Sequence, residues 1–456
     1  MRRGLTIVTC LTTSALAGIA TVALAGTVVM HRLATTSGAP VLEATHLPPL
    51  LTAPRERIEL RYDVYCVLPD EAQIDAPCDA SGTAFVRSDD TGVFRPLTLR
   101  EDRTAAEGRL FTRVPDSIAR SRGGFSYYAT LRSTTSGVTV TLPTGGAAAP
   151  HKSLPLERSV IVRLGAHRFG SVRSSDARVA EAPWGAGPGE VGLEQGRNLP
   201  PIGGSAFDVD GRGMVHVLDE ANRRLLRWSQ GARTPETISL SINGTLADLA
   251  VGRDGTVYVL ETTKGSDRAP LLRVFSPDGV VKGTSEVSER ASQVRVGPSG
   301  PTVLQQPSGQ WTSAAEGRSA DESVQSKSGR AGRPLPDGSE VVILRRDNEV
   351  RAARVGPGGI RRSWRVLSET PLAEVQLAEP VGGGLLIVAR VFTDARAEFL
   401  ALVLDENGLA QRFSLETADW AETAPLSRFR FVGSSLYRLG STPRGLFVDR
   451  FDLEVS

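Results

Sequence analysis

Three carboxylates and one histidine between residues 208 and 261 are the side chains of this chain best suited to chemistry: Asp208, Asp248, Glu261 and His216. Carboxylate oxygens that converge from separate strands bind calcium, a hard cation that takes oxygen ligands. In that arrangement Asp208, Asp248 and Glu261 are the expected ligands. The competing role is local. Asp210 and Asp254 each precede a glycine in a hairpin turn and Asp219 opens another turn, positions where a short carboxylate accepts nearby backbone N–H bonds. His216 alternates with Val215 and Val217, so it points to one sheet face and the valines to the other. A lone strand histidine packs more often than it ligates. The other four histidines, His31, His46, His151 and His167, fall outside the repeats described below. No H-E-x-x-H, G-x-S-x-G or paired C-x-x-C occurs, so zinc-hydrolase, serine-hydrolase and dithiol chemistries have no constellation to work with.

Basic clusters are the second group. Asn222-Arg223-Arg224, Arg345-Arg346 and Arg361-Arg362 read either as a rim that grips acidic partners or as solvated edge charges that blunt strand pairing. For binding, Asn222, Arg223, Arg224 and His216 are the candidates. The glycine-rich stretch WGAGPGEVG, residues 184–192, does not suit phosphate. A phosphate cradle needs glycines between a strand and a helix N-terminus, and here Pro188 interrupts and Asn198-Leu199-Pro200-Pro201 follows. The stretch reads as a loop packing Trp184 against the top of a ring or its first sheet. Cys66 and Cys78 are the cysteines outside the leader. Their spacing is too wide for C-x-x-C, and in an exported protein they are expected to pair. Such a bridge stabilises by roughly 3 kcal/mol in the chain-entropy account.

The elements that position these residues repeat. Residues 203–228, GGSAFDVDGRGMVHVLDEANRRLLRW, read as strand, Asp-Gly-x-Gly turn, strand, polar turn, strand. Residues 246–275 repeat the plan, with Val251 standing 42 positions after Val209. Looser copies begin at Val294, Pro336, Val375 and Phe429. A period near ~40–45 residues is that of β-propeller blades, and six units predict six blades. Ser159 to Leu164, SVIVRL, is the expected ring-closing strand. The run DVDGRGMVHVLDEANRRLLR resembles an NHL-type propeller repeat, most clearly over 203–275. The 184–192 stretch resembles a segment preceding such repeats in exported bacterial proteins. The resemblance implies architecture and no particular activity.

Upstream, Met1-Arg2-Arg3 and an uncharged run from Leu5 to Met30 predict a signal peptide cleaved after Ala23-Leu24-Ala25, or a retained membrane anchor, over residues 1–30. Residues 31–54 read as a linker, 55–155 as an immunoglobulin- or fibronectin-like β-sandwich, 156–202 as a connecting segment and 203–456 as the propeller. With 53 basic and 51 acidic residues, no global field points to nucleic acid. Only four lysines occur, the mark of a GC-rich bacterial genome. The expectation is therefore an all-β, extracytoplasmic protein that binds protein, peptide or cell-surface glycan without catalysis or cofactor, held at the membrane if its leader is retained. The alternative is a propeller hydrolase or lyase with a carboxylate-bound calcium in its channel. Carboxylates converging on the channel favour the alternative; carboxylates spent on separate turns end it.

Overall fold

The computed structural model describes residues 41–67, 76–77, 79–102, 108–196, 200–242, 244–262, 270–287, 291–305, 310–314, 332–423 and 427–454. Residues 1–40, Cys78 and Asn243 lie outside them. Among the described residues no helix is long and apolar enough to cross a membrane.

Among the described residues six sheets follow one another from residue 206 to residue 452. The first blade is an antiparallel meander of Ala206–Val209, Val215–Asp219, Arg224–Trp228 and Glu236–Ser239. The second runs from Thr245–Val251 to Val281–Glu286, the third from Ala291–Gly297 to Gln310–Ser313, and the fourth from Arg333–Pro334 to Gly359–Leu367. The fifth spans Leu372–Val381 to Leu409–Glu416 and the sixth Phe429–Val432 to Gly445–Asp452. Inner strands touch from the first sheet to the second, the second to the third, the fifth to the sixth and the sixth back to the first. The fourth meets the third through Arg333–Pro334 against Gln310–Ser313 and the fifth through Glu340–Arg346 against Leu372–Val381, so the sheets close a circle. This is a β-propeller.

Turn chemistry sets the hairpins. Asp210 Oδ1 accepts from the amides of Arg212 and Met214 at 2.9 and 3.0 Å, and Gly213 takes φ 78°, where a side chain is strained. Asp254 with Gly255, and Asp337 with Gly338, repeat the device in the second and fourth blades. These aspartates are turn residues, as their placement before glycine suggested.

Ring closure differs from expectation. Ala177–Pro183 pairs antiparallel with Gly445–Asp452 and becomes the outer strand of the sixth blade. Val160–Arg163 instead adds a fifth, parallel strand to the edge of the fourth blade. SVIVRL is the more β-prone segment, but closure is decided by which strand arrives beside the last one. Ala180 and Ala182 are small enough to pack against Leu439, Leu446 and Val448 there.

The N-terminal unit is two sheets around one core. One contains Val41–His46, Glu59–Val67 and Arg109–Arg113; the other contains Ala80–Ser88, Phe125–Ser133 and His151–Pro155. Leu42, Ala44, Leu60, Tyr62 and Val64 meet Ala84, Val86, Phe125, Tyr127 and Leu131 between them. The linker reading of 31–54 fails from residue 41 onward. Val41–His46 pairs with Glu59–Val67 and buries Leu42, Ala44 and His46, a period-2 pattern hidden by the Leu47-Pro48-Pro49-Leu50 run that follows.

Successive blades share apolar clusters at the first–second, second–third, fourth–fifth, fifth–sixth and sixth–first seams. The third–fourth seam is different. Val342, Ala353 and Val355 of the fourth blade, on the face opposite Val341 and Ala352, cluster with Leu50, Leu51, Leu154 and Leu156 of the N-terminal unit. Arg351 donates to the Leu51 carbonyl at 2.9 Å and ion-pairs with Glu56, as does Arg346. The N-terminal unit is seated on the ring.

Candidate functional site

The carboxylates singled out from the sequence go to two places. Asp208 and Asp248 sit on the inner strands of the first and second blades and meet at the ring axis. Between them lies the guanidinium of Arg430, from the inner strand of the sixth blade. Its Nε is 3.3 Å from Asp208 Oδ1 and its Nη2 is 2.6 Å from Asp248 Oδ1. Arg295, from the third blade, places Nη1 2.7 Å from Asp248 Oδ2. Across the ring Arg333 of the fourth blade ion-pairs with Glu379 of the fifth. Every inner strand thus contributes an ionisable group to one of two ionic clusters.

Each axial acid also latches its blade to the next. Asp208 Oδ2 accepts the Val251 amide at 2.7 Å, and Asp248 Oδ2 accepts the Val294 amide at 2.9 Å. Ser427 donates to Asp248 Oδ1 at 2.6 Å. Burial opposes the Asp248 charge, but Arg430 and Arg295 outweigh it and hold its pKa below the ordinary value. Burial wins at Asp208 and raises its pKa despite the same two arginines. Burial also lowers the pKa of Arg430, with help from the like charge of Arg295.

This geometry does not fit calcium. Glu261 lies on Val257–Thr262, a second strand, where it is bound by Arg273 from the adjacent strand. The place a cation would take between Asp208 and Asp248 is held by a guanidinium. Among the described residues no three His, Cys, Asp or Glu side chains are grouped to hold a metal ion.

His216 faces the same side as Asp208, directly across the ladder. It is buried, neither ring nitrogen makes a hydrogen bond, and its Nε2 is 3.6 Å from Asp210 Oδ2. Burial lowers its pKa, so it is a neutral packed histidine. It is not the only histidine on the blades. His167 docks on the fifth, its Nε2–H donating to Glu398 at 2.8 Å while Nδ1 accepts from Arg412 at 3.0 Å.

The basic rim resolves differently from its reading. Arg224 is buried and is wrapped by the 184–192 loop: its guanidinium donates to the carbonyls of Ala186, Gly187 and Glu190 and pairs with Asp219 at 2.8 Å. Asn222 donates to the Gly185 carbonyl and to Asp219. Asp219 accepts the Gly192 amide at 3.0 Å. Asn222 and Arg224 are therefore spent inside the protein, because a glycine-rich loop offers a cluster of free carbonyls that only a forked donor satisfies. Arg223 alone of the three is exposed. Arg346 pairs with Glu56, Arg361 with Asp337 and Arg362 with Glu406.

That loop presents Trp184. Its Nε1 donates to the Thr442 carbonyl at 2.9 Å, and its ring lies 5.8 Å from that of Trp420, tilted by 38°. Both indoles are half-buried. Trp420 belongs to the connection from the fifth blade to the sixth, beside Asp419, which is gripped by Arg428 and Arg438. Glu422 joins this connection to residues 201–203 through paired backbone bonds. Sequence reasoning missed Arg295, Arg333, Glu379, Arg430 and Trp420. A signal existed for two: Arg295 stands between two valines, and Arg430 between two phenylalanines, where an inner strand is otherwise apolar.

Cys66 is disulfide-bonded, and Cys78, its expected partner, lies outside the described residues.

No protein-family model matches the chain, and no curated protein does. Among solved structures it is similar to virginiamycin B lyase from Staphylococcus aureus, at 10% identity over 55% of this chain and 95% of that one, with a TM-score of 0.33. It is similar to YCF48 bound to D1 peptide, at 11% identity over 56% of this chain and 94% of that one, TM-score 0.31. The β-propeller domain of Cps50 (Swd1) from Myceliophteria thermophila aligns at 8% identity over 56% of this chain and 98% of that one, TM-score 0.31. The architecture of this chain rests on its own sheets.

Proposed function

We propose that the chain is an exported, non-enzymatic binding or scaffolding protein whose propeller rim takes protein, peptide or glycan. On this reading the blades are NHL-type, the N-terminal unit is immunoglobulin-like, and residues 1–30 direct export or anchor the chain. The observation that carries it is the Trp184–Trp420 pair. Two half-buried indoles sit on connections already made rigid, one by Arg224 inside the glycine loop and the other by Asp419 between two arginines. Rigid amphipathic aromatics give contact area at little entropic cost, which is why they dominate binding surfaces. The axial carboxylates are committed to arginine, so they support adhesion between blades rather than metal-assisted chemistry.

The test is a binding screen of the purified protein against peptides and cell-surface glycans, with Trp420→Ala beside it. Saturable binding that weakens at least tenfold in an otherwise folded Trp420→Ala supports the reading. Turnover of a lactone or glycan that a chelator abolishes overturns it.

A further inference from the structure

The N-terminal unit carries a buried cluster that its packing role does not require. His46 ends the strand Val41–His46 and His151 begins the strand His151–Pro155. Their rings are 5.6 Å apart. Tyr62 stacks on His46 at 4.4 Å, and the Tyr127 hydroxyl donates to His46 Nε2 at 2.7 Å, leaving Nδ1–H for the Arg61 carbonyl at 2.6 Å. Both histidines are buried, and the Tyr62 hydroxyl and His151 Nδ1 have no hydrogen-bond partner. The charge of Asp63 reaches His46, and Asp63 is itself held by Arg109 at 2.6 Å; Glu43 is the buried acid on the same strand as His46. Lys152, next to His151, is held by Asp90 at 2.8 Å.

The position of the pair gives it leverage. Leu50 and Leu51 stand four and five residues past His46; three past His151 comes Leu154, then Leu156. Those four leucines cover Val342, Ala353 and Val355 of the fourth blade. Leu51–Thr52 and His151–Pro155 run as a parallel pair through Leu51 and Leu154. Both docking segments therefore lead directly out of the histidine cluster.

We infer that the N-terminal unit is an acid-released clasp: protonation of the His46–His151 pair unseats Leu50, Leu51, Leu154 and Leu156 from the fourth blade. Burial pushes His46 down to about 4 and His151 down to about 3, so the docked state holds both neutral. A hydrated histidine titrates near 6.5. The seated form is thus fully favoured above that value and loses ground as pH falls from about 6.5 toward 4. At pH 5 the opening equilibrium rises about thirtyfold for a histidine with the His46 shift.

Hydrogen exchange of the full-length protein between pH 7.5 and 4.5, corrected for intrinsic rates, tests this. Expected is a rise of at least tenfold in exchange at 341–344 and 353–355 by pH 5, while 215–218 in the first blade stays protected. A double variant, His46→Asn with His151→Asn, loses that pH dependence. Should the variant not fold, imidazole NMR of the unaltered protein decides. Proton uptake by both rings below pH 6 that coincides with the loss of protection supports the clasp. Flat protection at the seam, simultaneous loss in every blade, or rings that titrate near 6.5 with the seam intact overturns it.

Discussion

At the scale of single residues, the axis of the ring is an electrostatic problem solved with arginine. Asp248 is fully buried, and Arg430, Arg295, Ser427 and the Val294 amide surround it. Removing one partner of a buried pair strands the other charge, at about 3–5 kcal/mol. Asp248→Ala is therefore expected to lower unfolding free energy by that amount, read from denaturant titration. Replacing Asp248 and Arg430 together by apolar residues of similar volume recovers much of the loss. A single substitution within about 0.5 kcal/mol of the parent would falsify the axial role. The two acids respond oppositely to pH. The contribution of Asp248, whose pKa is lowered, is present above the ordinary carboxylate range and is lost as pH falls through it. Asp208, whose pKa is raised, stabilises fully only below that range, and its contribution is lost as pH rises. The sequence offered Asp208 and Asp248 only as candidate ligands of the calcium alternative. It hid their partners, because Arg295 and Arg430 lie 47 and 182 positions from Asp248 and share no local motif with it.

At the scale of elements, turns were readable and edges were not. Asp210, Asp254 and Asp337 announce their hairpins because the chemistry is complete within five residues. Which strand closes the ring depends on where the last blade ends, and no residue in SVIVRL or ARVAEAP encodes that. A pair of substitutions separates the two. Ala182 is fully buried between Leu446 and the first blade, whereas Ile161 is 51% exposed. Ala182→Glu places an unpaired charge in the closing seam and is expected to cost more than about 3 kcal/mol. Ile161→Glu should stay within about 0.5 kcal/mol. Equal effects in thermal unfolding contradict closure by Ala177–Pro183. The glycine loop obeys the same division. Its bend was visible in Gly185, Gly187 and Gly189, but the residue it wraps, Arg224, looked like part of a surface basic run.

At the scale of the whole molecule, the N-terminal unit is part of the ring's packing. The third blade has three strands among the described residues, and the fourth blade's face at Val342, Ala353 and Val355 is covered by the N-terminal unit. Leu51 is fully buried at that junction, beside Arg351, which bonds the Leu51 carbonyl. Full burial of a leucine contributes about 1.5–3 kcal/mol, and four act together here. A carboxylate at position 51 would meet apolar Val342 and Val355. The Arg351 guanidinium beside it is already ion-paired with Glu56 and Glu349. If the seam couples the two units, the parent chain unfolds in one transition, because neither unit can lose its partner's leucine or valine face without exposing its own. Leu51→Asp should then split that transition in calorimetry, with the fourth blade melting below the first, whose seams with the second and sixth blades are untouched. Two separate transitions in the parent, unchanged by the substitution, make the N-terminal unit independent of the ring and leave the acid-released clasp with nothing to release.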